Sequence, residues 1–235
     1  MKYAAIIAII LSSSFGLYTW MNNPESQMVA VTVRAGSKAE MALPDGTFVH
    51  LNAATNLEYD VNNSKQRLVK LSGEAFFDVA KNPDCPFKVI INDLQIEVVG
   101  TSFNVKTYKK DIVETSLLSG RIRISGGSLP HEYTLSPGQK ATYSAMDRTL
   151  RISKADAHVE AGWRDNYLIF ESTPLIDVIA QIERWYGVEI RLHHKQIAQD
   201  LLSGSFRNES IQNVIRSLSC LLYTSPSPRD GLLSR

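Results

Sequence analysis

Glu74 and Asp78 stand four residues apart in a stretch that alternates as a strand, and paired carboxylates are common equipment for general acid–base work. Same-face strand positions four apart lie roughly 13 Å from each other, beyond the ~5 to 9.5 Å that glycosidase pairs span. Asp45 sits in a Pro-Asp-Gly turn, where its oxygens serve the local backbone. His193 and His194 are adjacent, so on a strand they point to opposite faces and cannot chelate one metal. His50, His131 and His158 are isolated. Cys85 has no His or Lys motif beside it to activate a thiolate and reads as a small half-buried residue at the start of a strand. Ser203-Gly204-Ser205 lacks the flanks of a nucleophile elbow, and no His-Glu-x-x-His or P-loop is present. The expectation is a non-enzyme with no catalytic residues, no cofactor and no metal.

The elements behind these residues read clearly. Across 235 residues, 44% are hydrophobic and 21% charged, which excludes wholesale disorder. A net charge of +1 gives no basic footprint for nucleic acid, and two cysteines cannot build a disulfide scaffold. From Val29 to about Ile152 apolar residues alternate in short runs, as at Val49 and Leu51, Phe87, Val89 and Ile91, or Ile122 and Ile124. Turn residues punctuate them at Pro44-Asp45-Gly46, Asn92-Asp93, Gly126-Gly127 and Pro137-Gly138. This predicts an all-β domain of twelve or more short strands over residues 25–160, a sandwich, roll or solenoid-like stack. Tyr59, Phe76, Phe77, Phe103 and Tyr108 read as core at strand spacing; an aromatic platform for a ligand or glycan is the alternative.

After Trp163 the period changes. Tyr167 to Phe170 reads as a strand, Thr173-Pro174 as an N-cap and first helical position, and Leu175, Val178, Ile179, Ile182 and Tyr186 as one helical face ending at Gly187. Trp185 lies beside that stripe and is expected to pack. Val188 to Leu192 alternates as a further strand. The pattern recurs 36 residues on, with Phe206, Ile211, Val214, Ile215 and Leu218 matching Phe170, Leu175, Val178, Ile179 and Ile182, and Ser210 as cap. Residues 161–218 therefore form a small α+β module of repeated β-α units, expected to be incomplete because a strand should follow its second helix. The whole is mainly β.

The ends differ from the middle. Tyr3 to Met21 is a 19-residue, mostly apolar run without charge, long enough to cross a bilayer as a helix within residues 1–24. A cleaved signal peptide, with Ser14 and Gly16 near the cut, is the competing reading. Either way the remainder is exported. Residues 219–235, including Cys220-Leu-Leu-Tyr-Thr-Ser-Pro-Ser-Pro, continue no period and look like translated sequencing adapter, with an ordinary Ser/Pro tail as the alternative.

Seven motifs in order carry a resemblance. Leu43-Pro-Asp-Gly-Thr-Phe-Val-His-Leu-Asn-Ala53, Leu71-Ser-Gly-Glu-Ala-Phe-Phe-Asp-Val79, Pro86-Phe-Lys-Val89, Val99-Gly-Thr-Ser-Phe-Asn-Val105, Leu118-Ser-Gly-Arg121, Leu135-Ser-Pro-Gly-Gln139 and Trp163 leading into Tyr167-Leu-Ile-Phe170 resemble the FecR family in its Bacteroidota form, over residues 31 to 218. The resemblance implies a single-pass inner-membrane anti-sigma factor with a periplasmic C-terminal region. Its partners would be the signalling domain of an outer-membrane TonB-dependent transporter and, through a cytoplasmic segment, an extracytoplasmic-function sigma factor. That segment precedes the membrane helix in such regulators; here the helix begins at Tyr3, so a fragment truncated at both ends is expected. The C-terminal module resembles the secretin and TonB short domain. Strand addition would use an open edge formed by Tyr167, Leu168, Ile169 and Phe170 or by Leu201, Leu202, Ser203, Gly204, Ser205 and Phe206. The alternative function is a periplasmic β-rich ligand- or glycan-binding module with no transcriptional role.

Overall fold

The structure is a computed structural model that describes residues 12–17, 27–61, 67–192 and 195–224. Of the apolar run, residues 12–17 are helical; the rest lies outside the described residues, as do His193 and His194 and residues 225–235. Among the described residues no helix is long and apolar enough to cross a membrane.

The alternating stretch folds as two seven-stranded sheets. The first runs, in spatial order, β1 (Met28–Val33), β4 (Thr55–Asp60), β5 (Arg67–Ser72), β7 (Phe87–Ile91), β8 (Leu94–Val98), β11 (Ile122–Gly126) and β12 (Tyr133–Leu135). The second runs β14 (Thr149–Lys154), β13 (Gln139–Ser144), β10 (Ile112–Ser119), β9 (Ser102–Lys106), β6 (Glu74–Asp78), β3 (Phe48–Leu51) and β2 (Ala39–Ala42). Every pairing is antiparallel except β5 with β7, whose parallel register aligns Arg67 with Phe87. Neither sheet closes on itself, so the domain is an open sandwich.

One core holds the sheets together. Leu57, Val69, Val89, Ile96 and Ile122 of the first meet Val49, Leu51, Phe77, Phe103 and Leu117 of the second, all essentially inaccessible to water. Val49, Leu51, Leu57, Val89, Ile96, Phe103 and Ile122 are period-2 positions read from the sequence, because a strand with one dry face must place alternate residues inward. The opposite face of the first sheet is a solvated ladder of ion pairs, Glu58–Lys70, Lys88–Glu97 and Glu97–Arg123. The opposite face of the second sheet carries Phe76, Asn104 and Ser116, all buried. Something covers it.

The cover is the chain leaving β14. Helix α1 (Ala157–Ala161), capped by the Asp156 carboxylate on the His158 N–H, leads into a 3-10 turn, Gly162–Asp165. Then come β15 (Tyr167–Pro174), α2 (Leu175–Tyr186), β16 (Leu201–Arg207) and α3 (Ile211–Thr224). Two expectations need correction. Val188–Leu192 is not a strand; Ile190 and Leu192 pack on the module core, but no described strand lies beside them to accept a ladder. Thr173 and Pro174 end β15, paired with Leu202 and Leu201, and Pro174 is the cap with no side-chain bond to the helix. The strand persists because a bulge at Glu171 and Ser172 restores its register.

Candidate docking module and its seat

Leu168, Phe170, Leu175, Val178, Ile179, Ile182, Leu202, Val214 and Leu218 make a second, separate core. The two repeats meet through their strands: β15 and β16 pair antiparallel, Leu168 opposite Phe206 and Phe170 opposite Gly204. Phe170 and Phe206 touch edge to face at 6.3 Å. Gly187 ends α2 in a left-handed conformation, and the Asn213 N–H bonds the Ser210 hydroxyl as expected for a cap. The halves are not equal. Ile179 is 7% exposed and its counterpart Ile215 is 37% exposed.

All ten strand residues singled out from the sequence fall on this two-stranded sheet. Leu168, Phe170 and Leu202 are buried toward the helices. The other face of β16 is open, with Leu201 (64% exposed), Ser203, Ser205 and Arg207 in solvent. The corresponding face of β15 is half-buried. Tyr167 packs edge-on against His158 and lies in the wall of a cleft with Ile169, Glu171 and Thr173. Among the described residues β15 and β16 pair only with each other.

The module sits on the outer face of the second sheet through a polar seat that sequence reasoning missed. Glu74, 7% exposed, accepts hydrogen bonds from Asn52 Nδ2 at 2.8 Å and Asn104 Nδ2 at 2.9 Å. Asn104 Oδ1 in turn accepts the indole N–H of Trp163 at 3.2 Å. Trp163, Ala161 and Phe76 form a small buried cluster with Leu118 and Trp185 beside it. Lys38, from the loop between β1 and β2, donates to the Trp163 carbonyl at 2.6 Å and to Asn166 Oδ1 at 3.0 Å, and its ammonium lies 3.7 Å from the Trp185 ring centroid. Further out, Arg184 lies over Tyr108, whose hydroxyl donates to the Ala53 carbonyl, and Lys109 pairs with Asp177 at 2.7 Å. Between the two walls is a cleft of about 610 Å³ lined by apolar, polar and charged side chains, Ile169, Trp185, Thr173 and Lys106 among them.

Burial lowers Lys38 to about 8 from 10.5, with the Glu74 charge opposing the shift. Burial raises the Tyr108 hydroxyl, and Glu74 adds to that. The docked lysine holds its proton less tightly than a free one, so the docked form gains stability with rising pH where it has lost that proton and the undocked form still carries it. The seat is therefore expected to be pH-insensitive below about 8 and to tighten between about 8 and 10.5. NMR titration of the Lys38 ammonium checks this, and a midpoint at 10.5 in the intact chain would remove the shielded-seat description.

The remaining chemical candidates do not converge. Asp45 accepts from the Thr47 N–H and hydroxyl, as a turn aspartate does. Asp78 accepts from Ser102, while Glu74 faces the seat. His50 sits between Phe48 and Phe76 against Glu40. Cys85 is half-buried just before β7. Phe77 and Phe103 stack in the core and Phe76 lies under the Trp163 turn, so the aromatics form no common platform. Among the described residues no three His, Cys, Asp or Glu side chains gather as metal ligands. The missed signal was Glu74 itself: a carboxylate followed by Ala75-Phe76-Phe77, in a strand apolar on both sides, needs buried partners.

Comparison with known proteins agrees with this architecture. The family model described as FecR protein matches residues 29–123, and the one described as FecR, C-terminal matches residues 167–222. Two crystal structures of a candidate anti-sigma factor from Parabacteroides distasonis ATCC 8503 are similar to it. One, at 1.65 Å resolution, is 31% identical with a TM-score of 0.75, covering 82% of this chain and 91% of that one. The other, at 2.50 Å, is 30% identical with a TM-score of 0.76, covering 83% and 92%. No curated protein matches. The two family models fall one on the open β-sandwich and one on the β-α repeat module. The chain belongs to the FecR family of anti-sigma regulators.

Proposed function

We propose that this chain is the signal-receiving part of a membrane-anchored anti-sigma regulator. The sandwich and module lie in the periplasm, the Tyr3–Met21 run crosses the inner membrane once, and the module docks to the signalling domain of an outer-membrane TonB-dependent transporter. Docking is relayed to an extracytoplasmic-function sigma factor bound on the cytoplasmic side. The observation that carries this reading is the β15–β16 sheet. Among the described residues the two strands pair only with each other, so the far edge of β16 has main-chain donors and acceptors for an added strand. Leu201, the most exposed aliphatic side chain of the module, puts apolar surface on β16 itself.

The test is pull-down of the transporter's signalling domain by the intact chain. Proline at Ser203 or Ser205 removes a backbone donor from the exposed strand and is expected to weaken capture by ~10-fold or more. The sandwich, whose core is separate, should keep its unfolding midpoint. Unchanged capture by both proline variants would exclude the β16 edge. Retention of the wild-type chain in washed inner-membrane vesicles tests the anchor, and its recovery in the soluble periplasmic fraction would refute it.

A further inference from the structure

Among the described residues strand β1 is an edge strand bonded only to β4, and of its six residues only Val33 is buried. Backward from Gln27 it leads to the apolar N-terminal run; forward it enters the Arg34–Lys38 loop. That loop meets the C-terminal end of α2 backbone to backbone. The Gly36 N–H donates to the Arg184 carbonyl at 2.8 Å, taking up one of the acceptors that a helix end leaves unpaired. Both residues at the joint are glycines with positive φ, +79° at Gly36 and +67° at Gly187. A Cβ on Gly36 would sit 3.2 Å from the Tyr186 carbonyl oxygen, and one on Gly187 would sit 3.1 Å from that of Ala35. Two chains of backbone are in contact there because neither has a side chain at the crossing. The other links between module and sandwich are the Trp163 seat and solvated pairs such as Lys109–Asp177.

We propose that the Gly36–Gly187 joint couples the C-terminal module to β1, so that displacement of the module loosens the strand leading to the N-terminal apolar run. An edge strand with one buried side chain opens locally at less cost than a central one. The module holds the loop at its end by a main-chain hydrogen bond and close packing; moving α2 breaks that contact and leaves β1 with β4 alone. The proposal rests on the docking reading only for what moves the module. The coupling itself belongs to the intact chain.

Amide hydrogen exchange on the full chain tests it. Gly36→Ala and Gly187→Ala crowd the joint, while Gly138→Ala, at φ +78° with nothing within 4 Å, imposes the same backbone strain away from it. Exchange of the 28–33 amides is expected to rise by ~10-fold or more in both joint variants and to stay unchanged in Gly138→Ala, with β7 and β8 protected throughout. Unchanged β1 exchange in both joint variants overturns the coupling. If neither joint variant folds, the wild-type chain decides on addition of a transporter signalling domain. Protection at β16 with faster exchange in β1 supports the coupling, and protection at β16 with β1 unmoved overturns it. Absence of protection at β15 and β16 counts against the docking reading instead.

Discussion

Arg67→Ala is expected to cost the sandwich about 3–5 kcal/mol, because it removes a buried cation and leaves a partly buried carboxylate and three carbonyls without their donor. Arg67 opens β5 with its side chain only 3% exposed. Nε donates to the Cys85 carbonyl at 2.6 Å, Nη1 to the Ala80 carbonyl at 2.7 Å and to Asp45 Oδ2 at 3.2 Å, and Nη2 to the Asn82 carbonyl at 3.2 Å. The guanidinium thus fastens the Leu43–Gly46 turn and the loop before β7 to the one parallel strand pair in the sandwich. A parallel pair needs a crossover rather than a hairpin, so the crossing loop has no ladder of its own. Arg67→Lys keeps the charge but cannot reach four acceptors, and should lie between wild type and alanine. Urea unfolding measures the loss, and a loss under about 1 kcal/mol for Arg67→Ala would remove the fastening role.

Arg67 also shows what the sequence could not display. Strand positions, the 36-residue repeat and the module core were legible because each is a local period: alternation for one dry sheet face, an apolar stripe for one buried helix face. Pairing is not local. Val188–Leu192 alternates like a strand and forms none, since sidedness can be read from residue order but the presence of a neighbour cannot. The Thr173–Pro174 boundary failed for a related reason, because pairing with Leu201 and Leu202 carries β15 past the turn chemistry. That β15 and β16 are strands was legible and their inequality was not: β15 faces the cleft and β16 faces water because the Trp163 turn folds back over the second sheet. The Gly36–Gly187 joint brings together residues 151 positions apart, and each glycine alone reads as an ordinary turn or helix stop.

Glu74→Ala is expected to cost about 3 kcal/mol and to loosen the module's seat at the same time. The substitution strands the Asn52 and Asn104 amide donors in a place closed to solvent, and Asn104 is the residue that receives the Trp163 indole. Glu74→Gln preserves the shape and one acceptor, so it should lose less stability. It also removes the charge that supports the Lys38 proton, and the Lys38 midpoint should then fall further below about 8. The two readouts separate two roles. A Glu74 that only packs would lower stability in alanine and leave the Lys38 titration where it was in glutamine. A Glu74 that joins the sandwich to the module's seat moves both, and Trp163 fluorescence should shift toward that of a wetter indole in the alanine variant. If the unfolding midpoint falls while Trp163 and Lys38 keep their wild-type signatures, the carboxylate serves the sandwich alone and the seat is held by Trp163 packing against Phe76.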